Sequence, residues 1–190
     1  MMKNYFFIIT FLITLNSCTG NMDILSSGDQ DNIYLPLNVG NTWFYDVKGS
    51  LKNPWIKRIV EEKLEINDSI YYTVTDIYGY TEPFPYIYTD TLHLDYQGRV
   101  WIYKNKTDHL LFDFSLENEG TYQYEDYIVT VKKVGLIETT AGTFINCIEF
   151  LFDIPISVDE ETWYAFAPNV GLVRKMVGEG PTVVLNSYKF

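Results

Sequence analysis

Most of the chain, residues 33–190, consists of short runs in which apolar and polar residues alternate, and no stretch keeps a sustained helical period. Gly, Asn, Asp or Pro interrupts these runs roughly every eight to twelve positions, a pattern typical of an antiparallel all-β domain. Tyr and Phe are abundant, and aromatic residues favour pleated, half-buried surfaces. We therefore predict strands near residues 43–48, 55–66, 70–79, 86–95, 99–104, 110–115, 127–136, 143–154, 161–167, 171–177 and 182–190.

Several runs show which face would be buried. The two sides of the run 55–66 differ sharply, with Ile56, Val60, Leu64 and Ile66 on one and Lys57, Glu61, Lys63 and Glu65 on the other. About ten or eleven strands without helices must still bury such apolar faces, by curling into a half or full barrel or by folding into a sandwich. We favour one strongly curved, barrel-like antiparallel sheet over residues 33–190, with little helix outside the leader.

The first 17 residues have the layout of a secretory signal peptide. A short start with one charge, Lys3, precedes the apolar run Tyr5–Leu15, and a small residue, Ser17, ends the segment. The alternative is a transmembrane anchor. The run is shorter than the roughly 20 apolar residues that span a bilayer, so export is the favoured interpretation.

The end of the leader, Leu15-Asn16-Ser17-Cys18, resembles the lipobox of bacterial lipoproteins. In that family the thiol receives a diacylglycerol, the leader is removed, and the new amine is acylated, for example with palmitate. The resemblance implies that Cys18 anchors the protein in the cell envelope, and we expect the outer membrane, on its periplasmic or exterior face. Residues 18–32, rich in Gly, Ser, Asp and Asn, would form a flexible tether. The alternative is an ordinary signal peptide with an incidental cysteine.

The charge balance limits the partners that the protein can bind. There are 25 acidic residues against 14 basic ones, a net charge of −11. This balance argues against nucleic acid, because Lys and Arg supply most of the affinity for phosphates. It argues equally against gripping anionic lipid headgroups. The expected partners are a membrane, through the N-terminal lipid, and an envelope ligand or protein.

Three segments of the domain carry a second resemblance: residues 35–45 (LPLNVGNTWFY), 139–144 (TTAGTF) and 163–173 (WYAFAPNVGLV). Together they resemble secreted or lipid-anchored bacterial domains of unknown function, which are similar to the open β-sheet lipoprotein-carrier (Lol-type) fold. The resemblance implies a sheet whose concave side could hold an apolar ligand. The motifs describe turns, and no catalytic residue is carried over from them.

A search for catalytic or metal-binding residues finds no complete set. His93 and Asp95 share a strand face, but zinc needs three or four ligands; His109 falls near a predicted turn at 105–108. The neighbours of Cys147 include Ile145, Ile148 and Glu149, which favours a buried thiol over an activated nucleophile. We expect no catalytic residues, no resident metal and no cofactor. The acidic clusters are expected to be solvated: Glu117, Glu119, Glu125 and Asp126, and residues 159–161.

An aromatic stretch around Pro83 and Pro85 is the candidate ligand-binding feature. The aromatic residues there all fall on even positions, and we predict a ligand platform made of Tyr80, Phe84, Tyr86 and Tyr88. The alternative is that these rings pack under the edge of the sheet.

These observations favour a lipid-anchored, non-enzymatic domain that binds an apolar, glycan or protein ligand. Two other functions stay open, an envelope glycan hydrolase and a structural subunit of an envelope complex. A carrier requires that the sheet enclose space, a hydrolase requires carboxylates that converge in a cleft, and a structural role would favour an exposed aromatic patch without a cavity.

Overall fold

The computed structural model describes residues 33–50, 54–79, 85–157 and 160–190, and these residues form twelve strands and no helix. The predicted leader 1–17, Cys18 and the tether 18–32 lie outside the described residues. The strands are β1 (Thr42–Lys48), β2 (Trp55–Ile66), β3 (Ser69–Gly79), β4 (Tyr86–Leu94), β5 (Arg99–Lys104), β6 (Thr107–Asp113), β7 (Thr121–Tyr124), β8 (Tyr127–Thr139), β9 (Gly142–Asp153), β10 (Thr162–Ala167), β11 (Gly171–Val177) and β12 (Thr182–Lys189).

All twelve strands belong to one antiparallel sheet with the order β6-β5-β4-β3-β2-β1-β12-β11-β10-β9-β8-β7. Strands that are neighbours in sequence pair with each other, except β6 and β7, and β1 also pairs with β12, which joins the two ends of the domain. The two edge strands, β6 and β7, approach each other without pairing, and the Tyr122 hydroxyl donates to the Leu111 carbonyl across the gap at 2.6 Å. The sheet is therefore barrel-like and nearly closed.

The all-β, strongly curved fold predicted from the alternation is confirmed, with one strand more than expected. The additional strand, β7, is only four residues long. The turn predicted at residues 105–108 is also shorter: Asn105 and Lys106 alone form it, with positive φ of 52° and 69°. His109 consequently lies within β6, paired with Ile102, and not beside a turn.

Irregularities in the strand pairing accompany the curvature of the sheet. Register shifts interrupt β1 between Phe44 and Tyr45, and β2 between Val60 and Glu62. Others lie in the β5–β6 and β10–β11 pairings, where Leu111 and Val173 are the unpaired residues. Such bulges increase the local twist and bend a strand, which allows a long sheet to curl onto itself.

One end of the sheet, which we call the closed end, is covered by the segment Ile33–Asn41. Leu35 and Leu37 of this segment are buried in the core. Tyr34 stacks on Phe114 with 5.0 Å between ring centroids, and its hydroxyl donates to the Asn146 carbonyl at 2.9 Å. Because these contacts reach several strands, the segment fills this end and leaves the opposite end for a cavity. Within the described residues, no helix is long and apolar enough to cross a membrane.

Candidate ligand-binding cavity

A cavity of about 320 Å³, the main cavity, lies inside the sheet, with Leu35 of the closed-end segment among its lining residues. A neighbouring hollow of about 180 Å³, the side cavity, shares four of its lining residues: Arg58, Asp76, Tyr78 and Lys175. Both open at the end of the sheet that we call the mouth, where β1, β3, β5, β7, β9 and β11 finish. The main cavity is within the range of about 300–1,000 Å³ that is usual for ligand pockets, near its lower limit.

Aromatic side chains form much of the wall of the main cavity. Phe112 contacts Phe166 edge-on at 4.7 Å between centroids, and Tyr164 contacts Phe152 at 5.2 Å. Tyr124, Tyr127 and Tyr88 line the cavity nearer the mouth. These rings lie on different strands and interlock, so they give a firm apolar surface for a ligand.

Strand alternation also directs charged side chains into this aromatic space. Arg58 on β2 lies between Ile56 and Val60, which are both buried. Directly opposite Arg58 on β3 is Asp76, and opposite Asp76 on β4 is Tyr88. Inward positions along three neighbouring strands therefore carry polar groups where an apolar residue would give a simpler core.

Arg58 and Asp76 form a two-bond ion pair beneath the two cavities. Arg58 Nε donates to Asp76 Oδ1 at 2.7 Å, and Nη2 donates to Oδ2 at 2.6 Å. Burial acts to lower the pKa of Arg58, but the charge and hydrogen bonds of Asp76 outweigh it and raise that pKa. Each charge is satisfied by the other, so this pair is a fixed polar floor and offers no free charge to a ligand.

Lys175 on β11 is different, because no carboxylate among the described residues pairs with its ammonium. Its Nζ lies 4.9 Å from the ring centroid of Tyr164, the residue opposite it on β10. Burial lowers the pKa of Lys175, and the neighbouring Arg58 charge lowers it further. Lys175 lines both cavities and presents a cation to their junction.

Asp90 on β4 is the second inward charge of this kind. Burial raises its pKa, although a hydrogen bond from Tyr88 favours the charged form. Lys104 lies nearer solvent; its Nζ donates to the Tyr124 hydroxyl at 2.9 Å and is 3.6 Å from Glu125 Oε1. The lining of the main cavity thus contains both positive and negative side chains, of which some have an oppositely charged partner and others do not.

The residues of the predicted aromatic platform lie in different places. Tyr88 lines the main cavity, and Tyr86 is 62% exposed with its ring 5.7 Å from that of Tyr78. Tyr80 and Phe84 lie outside the described residues. The platform as a ligand site stays a prediction, with Tyr88 as the member that the sheet directs toward the cavity.

The histidines and Cys147 have structural partners. His93 Nδ1 is 2.7 Å from the Ile70 carbonyl, and His109 Nε2 is 3.0 Å from Thr107 Oγ1. The Cys147 thiol is buried, as expected, and burial raises its pKa above that of an ordinary thiol. In the described part of the chain, no group of three or more His, Cys, Asp or Glu residues is arranged to hold a metal.

Asp95, which shares a face with His93 in sequence, stabilises a turn. Burial acts to raise its pKa, but hydrogen bonds from the Trp101 indole and from Arg99 lower it overall. Its two oxygens accept bonds from Gln97 N, Arg99 N, Arg99 Nε and Trp101 Nε1. This full set of donors explains the position of Asp95 without a ligand.

Most of the acidic residues expected to be solvated lie away from the cavity. Glu117 is exposed and pairs with Lys133 at 2.7 Å. Glu125 differs, because it lines the main cavity at the mouth. Asp159 lies outside the described residues.

Sequence reasoning missed the inward charges Arg58, Asp76, Asp90 and Lys175. A signal for the first three was present, because each interrupts an otherwise apolar or aromatic face of a predicted strand. Lys175 was harder to find, since a register shift in the β10–β11 pairing changes which residues of β11 face inward.

The fold and the cavity together define a class of protein: a nearly closed antiparallel sheet that encloses a ligand-sized space. No family model and no curated protein matches the chain. A candidate exported protein with a YmcC-like fold from Bacteroides fragilis is similar in structure, with a TM-score of 0.57, 12% identity, and 84% of this chain and 100% of that one covered.

A candidate lipoprotein from Parabacteroides distasonis is also similar, with a TM-score of 0.53 and 14% identity. The match covers 83% of this chain and 99% of that one. At these identities the likeness establishes a shared fold and no more.

Proposed function

We propose that this protein is a lipid-anchored cell-envelope protein whose domain binds a small, largely apolar ligand in the main cavity. The observation that carries the proposal is the aromatic-walled cavity of about 320 Å³, open at the mouth and closed at the other end by Ile33–Asn41. A sheet that served only as a scaffold would gain stability by filling this space with its own side chains.

A non-enzymatic role is part of the proposal. Asp76 is held by Arg58 and Asp95 by its turn, so neither is placed to act on a bound molecule. The lining is instead suited to enclosing and orienting a ligand, because aromatic walls alternate with charged side chains: Arg58, Asp76, Asp90, Lys104, Glu125 and Lys175.

The location rests on the leader and on the structural neighbours. The lipobox-like sequence ending at Cys18 indicates lipidation. The two similar structures are named as a candidate exported protein and a candidate lipoprotein, which supports placement in the cell envelope. The outer membrane is the proposed site of attachment.

The anchor is tested by metabolic labelling with a radioactive or clickable fatty acid. The wild-type protein should be labelled, and the Cys18→Ser variant should not. Equal labelling of both proteins would mean that Cys18 is not the attachment site.

Ligand binding is tested with N-phenyl-1-naphthylamine, an uncharged dye that becomes fluorescent in apolar surroundings. The protein used is the full-length Cys18→Ser chain, which needs no membrane for lipid anchoring. Thr162 lines the main cavity at the start of β10, so Thr162→Trp should fill the entrance and reduce saturable dye binding by at least about tenfold.

The matched control is Thr182→Trp, because Thr182 also begins a strand at the mouth but neighbours the cavity-facing Val183 and so points outward. This variant should bind the dye as the parent does. Equal dye binding by the parent and Thr162→Trp, or none by the parent, would refute binding in the main cavity.

A glycan hydrolase is the second candidate, favoured by one observation. Asp90 is a cavity carboxyl whose pKa burial raises, which is a property of general acids, and Glu125 lines the same cavity. Hydrolysis of envelope glycans by the purified protein, abolished by Asp90→Asn, would favour this function over simple binding.

A further inference from the structure

The charges around the main cavity do not all compensate one another. Arg58 is held by two hydrogen bonds to Asp76. Lys104 is held at the mouth by the Tyr124 hydroxyl and Glu125. Among the described lining residues, Lys175 is the basic side chain that remains without an anionic partner.

Asp90 does not supply that partner. No ion pair joins it to Lys175, and the Tyr88 hydroxyl bonds to the Asp90 carboxylate instead. Lys175 Nζ lies over the Tyr164 ring, which is itself part of the cavity wall. A cation in such a place is costly unless an anion approaches it, and a ligand in the cavity could supply one.

We propose that the cavity binds amphiphiles with a single negative charge, whose anionic group pairs with Lys175 while the apolar part packs against the aromatic wall. This inference rests on the proposed function and specifies the chemical class of its ligand. The carboxylate of a medium-length fatty acid or of an aromatic acid fits this description.

A single charge is favoured over a phosphate dianion by the surroundings of Lys175. Asp76 and Asp90 both act on Lys175 electrostatically, so they also repel an approaching anion, and this repulsion is larger for a dianion than for a single charge. The protein as a whole is also acidic, with a net charge of −11, and this opposes multiply charged anions. The apolar part of the proposed ligand would lie against Tyr164 and Phe152, which contact each other in the cavity wall.

The test compares two dyes that differ by one charged group. 8-Anilino-1-naphthalenesulfonate has the skeleton of N-phenyl-1-naphthylamine plus one sulfonate. In full-length Cys18→Ser protein, Lys175→Met should weaken sulfonate-dye binding by about tenfold or more, the scale of a lost charged hydrogen bond. Binding of the neutral dye should change by less than about twofold.

A matched control separates loss of this cation from loss of any lysine over an aromatic ring. Lys132 Nζ lies 5.1 Å from the Trp163 ring, much as Lys175 lies over Tyr164, but neither Lys132 nor Trp163 lines the cavities. Lys132→Met should leave the binding of both dyes unchanged. Lys175→Arg keeps the charge and should retain sulfonate-dye binding, which shows that a folded cavity is still present.

Competition extends the test to carboxylates. Decanoate should displace the sulfonate dye from the parent protein at least about tenfold more effectively than decanol, and Lys175→Met should abolish the difference. If the neutral dye does not bind the parent, the proposed function fails. If it binds but Lys175→Met weakens both dyes equally or neither, the function stands and the anionic preference is refuted.

Discussion

Polar side chains inside the sheet have different surroundings at the closed end and at the mouth. At the closed end, such groups bond to backbone atoms: the Trp43 indole donates to the Val170 carbonyl at 2.6 Å, and the Asn41 amide donates to the Pro36 carbonyl at 2.9 Å. Toward the mouth, the partly buried Lys175 and Asp90 have pKa values shifted toward their neutral forms, mainly by loss of hydration.

Under the proposed function, this difference would divide stability and ligand binding between the two ends of one sheet. The closed end gains stability from packing and from polar groups whose bonds are complete. The mouth keeps charges in a partly empty space; we expect this to reduce stability, and under the proposed function these charges would contact the ligand. Changes at the two ends should therefore affect the free energy of unfolding in different ways.

Removing the closed-end indole should have the largest effect. Trp43 is 1% exposed, and Trp43→Ala should lower the free energy of unfolding by about 3–5 kcal/mol through the cavity it leaves. Urea unfolding of the full-length Cys18→Ser protein measures this. Trp55, at the mouth, is 47% exposed, and Trp55→Ala should cost under about 1.5 kcal/mol. Equal losses would contradict the assignment of stability to the closed end.

Breaking the ion pair under the cavity should come next. The side chains of Arg58 and Asp76 are 22% and 11% exposed, so Arg58→Met should cost about 2–4 kcal/mol by leaving a buried carboxylate unpaired. The double variant with Asp76→Leu should recover most of the loss, since no charge is then left alone. A double variant as unstable as Arg58→Met would show that the pair itself stabilises the fold.

Adding a methyl group to Gly171 should have a moderate effect. Gly171 has a φ of +101°, and a Cβ there would lie 3.3 Å from Trp43 Nε1. Gly171→Ala should lower the free energy of unfolding by about 1–3 kcal/mol. Gly98 also has a positive φ, +79°, but the space around it is open. The loss of stability in Gly98→Ala therefore measures only the backbone strain of a positive φ, without crowding by a neighbour. A smaller loss at Gly171 than at Gly98 would mean that Trp43 is not crowded.

The fold was largely predictable because alternation is a local property of the chain. The β2–β3 hairpin shows this, since Asn67 and Asp68 form its turn with φ of 51° and 62°, as turn chemistry allows. The missed strand β7 has only four residues, and the pairing with β8 that defines it follows a tight hairpin at Glu125 and Asp126. So short a run carries too little pattern to identify a strand.

The site was less predictable because it depends on how distant strands align. Alternation could place Arg58 and Asp76 inward, but their contact depends on the register of β2 against β3. Lys175 shows the limit more clearly. Leu172 and Lys175 both line the side cavity although they are three residues apart, because the register of β10 and β11 shifts near Phe166. A one-residue slip reverses the face of every residue beyond it.

The smallest effect is expected from the pH dependence of Asp90, which tests whether the mouth reduces stability through buried charge. Burial raises the pKa of Asp90 above its ordinary value of 3.8, so the folded state binds a proton that the unfolded chain releases earlier. The stability that this bound proton adds to the folded state is fully present below pH 3.8. It is lost as the pH rises through the pKa of Asp90 in the folded protein. Asp90→Asn should therefore gain stability relative to the parent as the pH is raised, by less than the loss at Gly171. Urea unfolding of both proteins from about pH 3 to pH 7 measures the difference. A difference in the free energy of unfolding that stays constant or decreases as the pH rises would show that other groups stabilise the Asp90 carboxylate in the folded state. The mouth would then resemble the closed end.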